Sequence, residues 1–297
     1  MTAIDAEVII CGAGIGGLTL AAICRQLGIS YKVLERTETL QPVGAGISLS
    51  PNALRVLDQL GVYEKVLETA QKLRKLQIWR NNTQWNTVSL DNFEPTYGYP
   101  IVSAERHNFH RLLYAAAGED EHVVLNAKVT DVIDVPGEPV RVVVEGGNEY
   151  RGHVVVGADG IRSAVRRALL RKNDLNKGNT IQFTGRVHFS GITSPLENCG
   201  PSEIGVANWM LYDQAILTTW PCQDNRQWYI GVKVCRQGSS PYPRFALSSG
   251  AMTSARKWHI SGPDGSRRLV PEVMSPSSSA QHLSQPCGHC SVPVRVR

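Results

Sequence analysis

Glu7-Val8-Ile9-Ile10-Cys11-Gly12-Ala13-Gly14-Ile15-Gly16-Gly17 is the stretch that decides the fold of this chain. Val8 to Cys11 is apolar without alternation, the pattern of a strand covered on both faces. Gly12, Gly14 and Gly17 make a G-x-G-x-x-G turn, and Leu18 to Leu27 follows with helical character until Gly28 stops it. Tyr31-Lys32-Val33-Leu34-Glu35 reads as a second strand. Residues 7–35 thus predict one βαβ unit, and with it an α/β fold of Rossmann-like, three-layer type.

The three glycines carry different tasks. Gly12 permits the tight turn, Gly14 lets backbone approach a pyrophosphate, and Gly17 allows close packing of helix on strand, while the helix N-terminus faces the negative charge. Glu35 stands at the end of the second strand, where its carboxylate can accept hydrogen bonds from both hydroxyls of an adenosine ribose. The same charge repels a 2′-phosphate. That disfavours NADP at this crevice and leaves NAD or FAD.

Working outward, Pro51 begins a helix that runs through Leu54, Leu57 and Leu60 to Gly61. Arg74 to Leu90 alternates like paired strands, and Glu105 to Ala117 returns to helical spacing. Three β-rich pieces follow, at Val123–Asp134, Val140–Glu145 and Tyr150–Val156, the last entering Gly157-Ala158-Asp159-Gly160 and a basic helix from Ile161 to Arg171. Further strands are expected at Thr180–Ile192, Ala215–Trp220 and Gln227–Val234. The organisation read from this is a nucleotide-binding domain over residues 1–172 with interleaved strands, a β-sheet domain over 173–240, and an irregular Ser- and Pro-rich tail over 241–297.

Composition narrows the function class. Of 297 residues, 42% are apolar and 19% charged, a globular balance that rules out wholesale disorder. The net charge of +5 sits in the tail, where seven Lys and Arg oppose two Asp and Glu from Pro241 onward. A neutral body with a basic end offers no nucleic-acid groove. The run from Val8 to Cys24 is too interrupted by glycine for a membrane span and follows Asp5 and Glu7 where a signal peptide carries positive charge. Seven scattered cysteines fit a reducing compartment, so the expectation is a cytoplasmic protein of unassigned oligomeric state. Cys11 and Cys24 fall on predicted core faces. Cys287-Gly288-His289-Cys290 lacks the strand–helix context of a redox dithiol and the further ligands of a zinc site, and no metal site is expected.

Four further segments separate the nucleotide ligands, and they carry a family resemblance. Leu34-Glu35-Arg36, Gly44-Ala45-Gly46-Ile47 with Pro51-Asn52-Ala53, Glu105-Arg106 leading to His110 and Leu113, and Gly157-Ala158-Asp159-Gly160-Ile161-Arg162-Ser163-Ala164-Val165-Arg166 occur in this order. Together with the glycine turn they resemble the FAD-dependent monooxygenases of the aromatic-hydroxylase type, which include urate hydroxylases, zeaxanthin epoxidases and many fungal secondary-metabolism enzymes. The resemblance implies FAD as cofactor, held by Gly12, Gly14, Gly17, Glu35, Arg36, Ala45, Gly46, Arg106 and Asp159. It implies NAD(P)H as co-substrate and hydroxylation or epoxidation of a small organic molecule by O₂.

The resemblance extends into the second domain through Phe183-Thr184-Gly185 to Ile192 and through Gln227-Trp228-Tyr229. Alternation puts Gln182, Thr184, Arg186, His188 and Ser190 on one strand face. In the family one face of this sheet roofs the substrate cavity, which makes Arg186 the candidate catalytic residue and His188 and Ser190 candidate substrate contacts. A solvated polar face is the plain alternative.

The family's third fingerprint, a Gly-Asp segment after the substrate domain, has no counterpart here. Gly262-Pro263-Asp264-Gly265 lacks the strand and helix around it. The expectation is a chain shortened after about Gly238, in which an exposed flavin would release hydrogen peroxide. Two other readings stay open at this point. One is an NAD-dependent dehydrogenase, for which no Tyr-x-x-x-Lys pair is evident, and the other is a catalytically impaired, flavin-losing remnant.

Overall fold

Residues 8–34 form the expected unit, with β1 (Val8–Cys11), α1 (Ile15–Gln26) and β2 (Tyr31–Leu34). The computed structural model describes residues 3–41, 44–172, 181–196 and 204–234, and three short strands at His259–Ser261, Arg267–Leu269 and Val294–Arg295. The chain continues through β3 (Gly46–Leu49), α2 (Pro51–Gln59), α3 (Tyr63–Thr69), β4 (Ala70–Lys72), β5 (Lys75–Arg80) and β6 (Thr83–Ser89). Then come α4 (Phe93–Tyr97), β7 (Val102–Glu105), α5 (Arg106–Ala116), β8 (Val123–Val124), β9 (Val129–Ile133), β10 (Val140–Val144), β11 (Glu149–Gly152), β12 (Val154–Gly157) and α6 (Ala164–Lys172). The last described region holds β13 (Gln182–Phe183), β14 (Arg186–Ile192), β15 (Val206–Leu211), β16 (Ala215–Pro221) and β17 (Gln227–Val234).

The nucleotide-binding body has three layers. A parallel sheet in the order β12-β1-β2-β8 lies at its centre. Ile10 and Val33 point to one side, into a core with Leu18 and Ala21 of α1 and Phe109 and Leu113 of α5. Ile9, Cys11 and Leu34 point to the other side, against Val142 and Val144 of β10 and Val165 of α6. Because β1 is covered on both faces, its sequence shows no polar–apolar alternation. The antiparallel meander β11-β10-β9 supplies much of that second cover.

Three departures from the sequence reading have local causes. The piece Val123–Asp134 splits, because Asn126 takes a left-handed φ of 55° after β8 has paired with β2 and before β9 enters the meander. The expected single strand to Ile192 is likewise broken at Gly185, φ +76°, so the alternation from Gln182 to Ser190 is not continuous; only Arg186–Ile192 keeps one register. Gly46 to Leu49, to which the sequence reading assigns no strand, is a strand paired antiparallel with β7.

The second sheet has six strands in the order β14-β17-β16-β15-β5-β6. Its β5–β6 hairpin turns on Asn81 and Asn82, both at positive φ as a two-residue hairpin turn requires. β5 pairs in parallel with β15, so residues 75–89 join in space the sheet drawn from 186–234. The division at residue 172 drawn along the sequence is therefore crossed by this hairpin. The sheet rests on the nucleotide-binding body through Trp228 and Cys222 against Ala45, and through Ala207 and Leu76 against Leu73 and Leu90. The Cys287–Cys290 and Gly262–Gly265 segments lie outside the described residues. No helix among the described residues is long and apolar enough to cross a membrane.

Candidate functional site

Strands β1, β2 and β12 run parallel, so their carboxyl ends release Gly12, Glu35 and Ala158-Asp159 at one edge of the sheet. β1 lies between the other two, which makes this edge the place where a doubly wound sheet opens a crevice. Gly12 has φ +106°, and a Cβ there would stand 2.5 Å from the carbonyl oxygen of Ala158 and 3.0 Å from Cα of Asp159. The glycine turn and the Asp159 turn are thus in backbone contact.

The turn is open at Gly14 and Gly16. A Cβ on Gly14 or on Gly16 would meet nothing within 4 Å. Helix α1 starts at Gly14 without a side-chain cap and without an acidic residue in its first turn. Its first amides and its positive dipole end are therefore left for an anion.

Glu35 follows β2 directly. Its Oε2 accepts a hydrogen bond from the Ala13 amide at 2.8 Å, and its Oε1 accepts one from Thr37 at 3.0 Å. These two bonds hold the carboxylate beside the glycine turn. A carboxylate has about four acceptor positions, so capacity remains for a pair of hydroxyl donors. Arg36 is exposed beside it.

Helix α5 approaches the same turn. His110 is buried, and its Nε2 lies 2.7 Å from the carbonyl oxygen of Ala13. A carbonyl only accepts, so Nε2 carries the hydrogen there. Arg106 stands one helical turn earlier on the same face. Its amide donates to the carbonyl oxygen of Ala45 at 3.3 Å, and its side chain runs along Gly44, where a Cβ would touch the arginine Cδ at 3.0 Å. Gly46 adjoins Trp228 so closely that a Cβ would fall 2.1 Å from the indole ring.

Asp159 is divided between two tasks. Its Oδ2 accepts from the amides of Ala164 (2.6 Å) and Val165 (3.3 Å) and so caps α6. Its Oδ1 is buried without a hydrogen-bond partner. An acceptor in that position is a vacancy that a ligand hydroxyl or amide can satisfy. Burial, and after it the Asp159 carboxylate, pushes the neighbouring Cys11 thiol up to about 12, so Cys11 stays a protonated core residue, as does Cys24 in its buried site.

The second sheet presents one face to this body. Cross-strand partners share a face, and the pairs Ile192–Trp228, Ser190–Ile230, His188–Val232 and Arg186–Val234 put Arg186, His188 and Ser190 on the face of Trp228. Trp228 packs against Ala45 and donates from Nε1 to Ser103 Oγ at 2.7 Å. The Trp220 ring stacks on it at 5.2 Å, and Trp209 meets Trp220 edge-on at 6.4 Å. Arg186 and Ser190 are exposed and His188 half-buried, all on the edge strand β14. Sequence reasoning did not reach Ser103, Arg226 or the three-tryptophan row. The row has a signal only in hindsight, since its members alternate on separate strands whose pairing a single sequence does not fix.

Comparison with known proteins agrees with this geometry. A family model described as FAD binding domain matches residues 5–230. An FAD-dependent monooxygenase of Aspergillus niger, pynG, is 53% identical over 239 residues, covering 76% of this chain and 55% of that protein. The FAD-dependent monooxygenase pytG of Aspergillus terreus is 49% identical over 232 residues, covering 77% of this chain and 69% of its own length. The chain therefore spans between about half and two thirds of these relatives. Among solved structures, Klebsiella pneumoniae HpxO complexed with FAD and uric acid superposes with a TM-score of 0.69 at 22% identity, over 82% of this chain and 59% of that one. That likeness concerns the fold.

Proposed function

This chain belongs to the FAD binding domain family, and from that premise we propose that it holds FAD at the glycine turn and serves an FAD-dependent monooxygenase reaction of fungal secondary metabolism. The reaction uses NAD(P)H and O₂ to hydroxylate or epoxidise a small organic substrate. The observation that carries the reading is the meeting of an uncapped helix, a fixed carboxylate and an unpartnered buried carboxyl oxygen around one open turn.

In this reading the α1 amides receive the pyrophosphate, and Glu35 takes the ribose hydroxyls with its remaining acceptor positions. Arg106 lies along Gly44 and offers positive charge to the phosphate and ribityl parts. Asp159 Oδ1 accepts from a ligand hydroxyl. Arg36 flanks the adenosine end, and Gly12 and Gly17 keep the two turns and the helix close enough to form the crevice. FAD bound there would supply the redox chemistry that links NAD(P)H to O₂. Arg186, His188 and Ser190 orient the substrate beneath the sheet, and the Trp228 face excludes water from it.

Two substitutions test the cofactor contacts. Glu35→Ala is expected to weaken FAD binding by about 1–3 kcal/mol, because it removes charge-assisted hydrogen bonds from the ribose; unchanged affinity by calorimetry refutes the assignment. Gly14→Ala adds a methyl group to an open surface, so unfolding free energy should move by less than about 1 kcal/mol, while FAD affinity falls by about tenfold or more as the methyl group enters the pyrophosphate path. Equal FAD affinity for Gly14→Ala and the unaltered chain would place the pyrophosphate elsewhere.

The reaction itself is tested by following NAD(P)H oxidation, O₂ uptake and peroxide release with FAD supplied. FAD-dependent consumption of NAD(P)H and O₂ supports the reading. Flavin-independent reduction of a carbonyl compound by NADH would favour the dehydrogenase alternative instead.

A further inference from the structure

One link between the second sheet and the end of β7, beside helix α5, comes from a residue outside the motifs, Arg226. Strands β16 and β17 are joined by a tight turn in which Asp224 and Asn225 both take positive φ, 57° and 55°. The amide of Arg226 donates to Gln223 O at 3.3 Å, and the amide of Cys222 donates to Arg226 O at 2.7 Å. Two consecutive left-handed residues define a type I′ hairpin turn, which fixes where the next side chain leaves the backbone. That side chain is Arg226. It forms an ion pair with Glu105, whose side chain is only 15% exposed, and lies 3.7 Å from the exposed Asp224. The turn is held from further sides as well. Gln223 Nε2 donates to Glu68 O at the end of α3, and Asn225 Nδ2 donates to Leu196 O.

Glu105 is the residue before Arg106. It ends β7, stands opposite Gly46 across the β3–β7 pair, and occupies the N-cap position of α5 without capping it by a side-chain bond. A half-buried carboxylate next to an arginine seeks a cationic partner, and Arg106 is within reach by sequence. If Glu105 took Arg106, it would neutralise the positive charge offered to the cofactor and draw the guanidinium away from Gly44.

We propose that Arg226 is a positioning residue for the cofactor site: by holding Glu105 in an ion pair between the sheets, it keeps Arg106 aligned along Gly44 for an anionic ligand. The proposal rests on the reading that Arg106 faces FAD. It makes the second sheet part of the cofactor site, since the arginine comes from the β16–β17 turn, 120 residues along the chain from Arg106.

The test uses the full chain and FAD titration by flavin fluorescence, with circular dichroism melting as the folding control. Arg226→Gln should weaken FAD binding by about tenfold, the size of effect that follows loss of one charge-assisted contact, while Arg226→Lys keeps the charge and should lose less. The second substitution decides between positioning and plain packing. Adding Glu105→Gln to Arg226→Gln removes the competing carboxylate, so FAD affinity should return towards that of the unaltered chain. If the double variant binds no better than Arg226→Gln, or if Arg226→Gln binds FAD normally, the proposal is overturned. Failure of the unaltered chain to bind FAD would instead overturn the reading on which it rests.

Discussion

Gly17→Ala should destabilise the chain by about 3 kcal/mol or more and abolish FAD binding with it. A Cβ at Gly17 would lie 1.9 Å from the carbonyl oxygen of Gly12 and 3.3 Å from Ala158 Cβ. The first of these is backbone, and it belongs to a turn already pressed against Ala158 and Asp159. Nothing there can rotate away, so α1 must lift from β1 and β12 or the turn must open. Gly16→Ala is the internal control: a Cβ there meets nothing, and an alanine in the first helical turn should leave stability within about 1 kcal/mol or raise it. Urea unfolding of both variants measures the contrast. Similar midpoints for the two would mean that α1 is not seated on Gly12 as described.

Trp228→Ala should cost about 4 kcal/mol, from the cavity left by a buried indole together with the loss of its polar contact. The ring fills the space over Gly46 and Ala45, stacks on Trp220, and donates to Ser103. Ser103 is fully buried, so removing the indole leaves its hydroxyl without that donor as well as opening a void. Trp228→Phe keeps most of the ring and loses the Nε1 bond, and its cost should be about 1–3 kcal/mol. Calorimetric unfolding separates the two. A Trp228→Ala protein as stable as Trp228→Phe would show that the polar contact, and not the packing between the sheets, dominates this junction.

The parts of this fold that local chemistry dictates were legible in the sequence. Val8–Cys11 had to be a doubly covered strand, and Gly12, Gly14 and Gly17 each stand where the backbone needs the absence of a side chain or tolerates it at an open surface. Glu35 at the end of the second strand is legible from the strand pattern, but its bond to the Ala13 amide, which positions it, has no sequence signal because it joins two loops after separate strands. What the sequence did not carry were the long-range pairings. The parallel match of β5 with β15 joins segments about 130 residues apart, and nothing in Lys75–Arg80 distinguishes that neighbour from any other. The break at Gly185 is silent in the sequence for a different reason, since a glycine inside an alternating run reads as strand until its φ is known. The polar residues of β14 were read as one face from alternation alone. Their orientation towards the nucleotide-binding body followed only from the pairing of Ile192 with Trp228.

The pair Arg226–Glu105 illustrates the same limit at the site. Arg106 was expected from its motif, but the residue that disposes of the neighbouring carboxylate comes from a turn between two later strands. Sequence motifs mark the groups that face a ligand. The groups that hold them in place are set by tertiary packing.

The most direct measurement of the central claim is titration of the purified chain with FAD, followed by removal of free flavin and absorbance at about 450 nm, the region where the oxidised flavin ring absorbs. One FAD should be retained per chain, NAD at comparable concentration should not displace it, and Gly17→Ala should lose retention. A chain that keeps no flavin under these conditions, or that exchanges it freely for NAD, would contradict the assignment of the glycine turn and the Asp159 turn to a single FAD crevice.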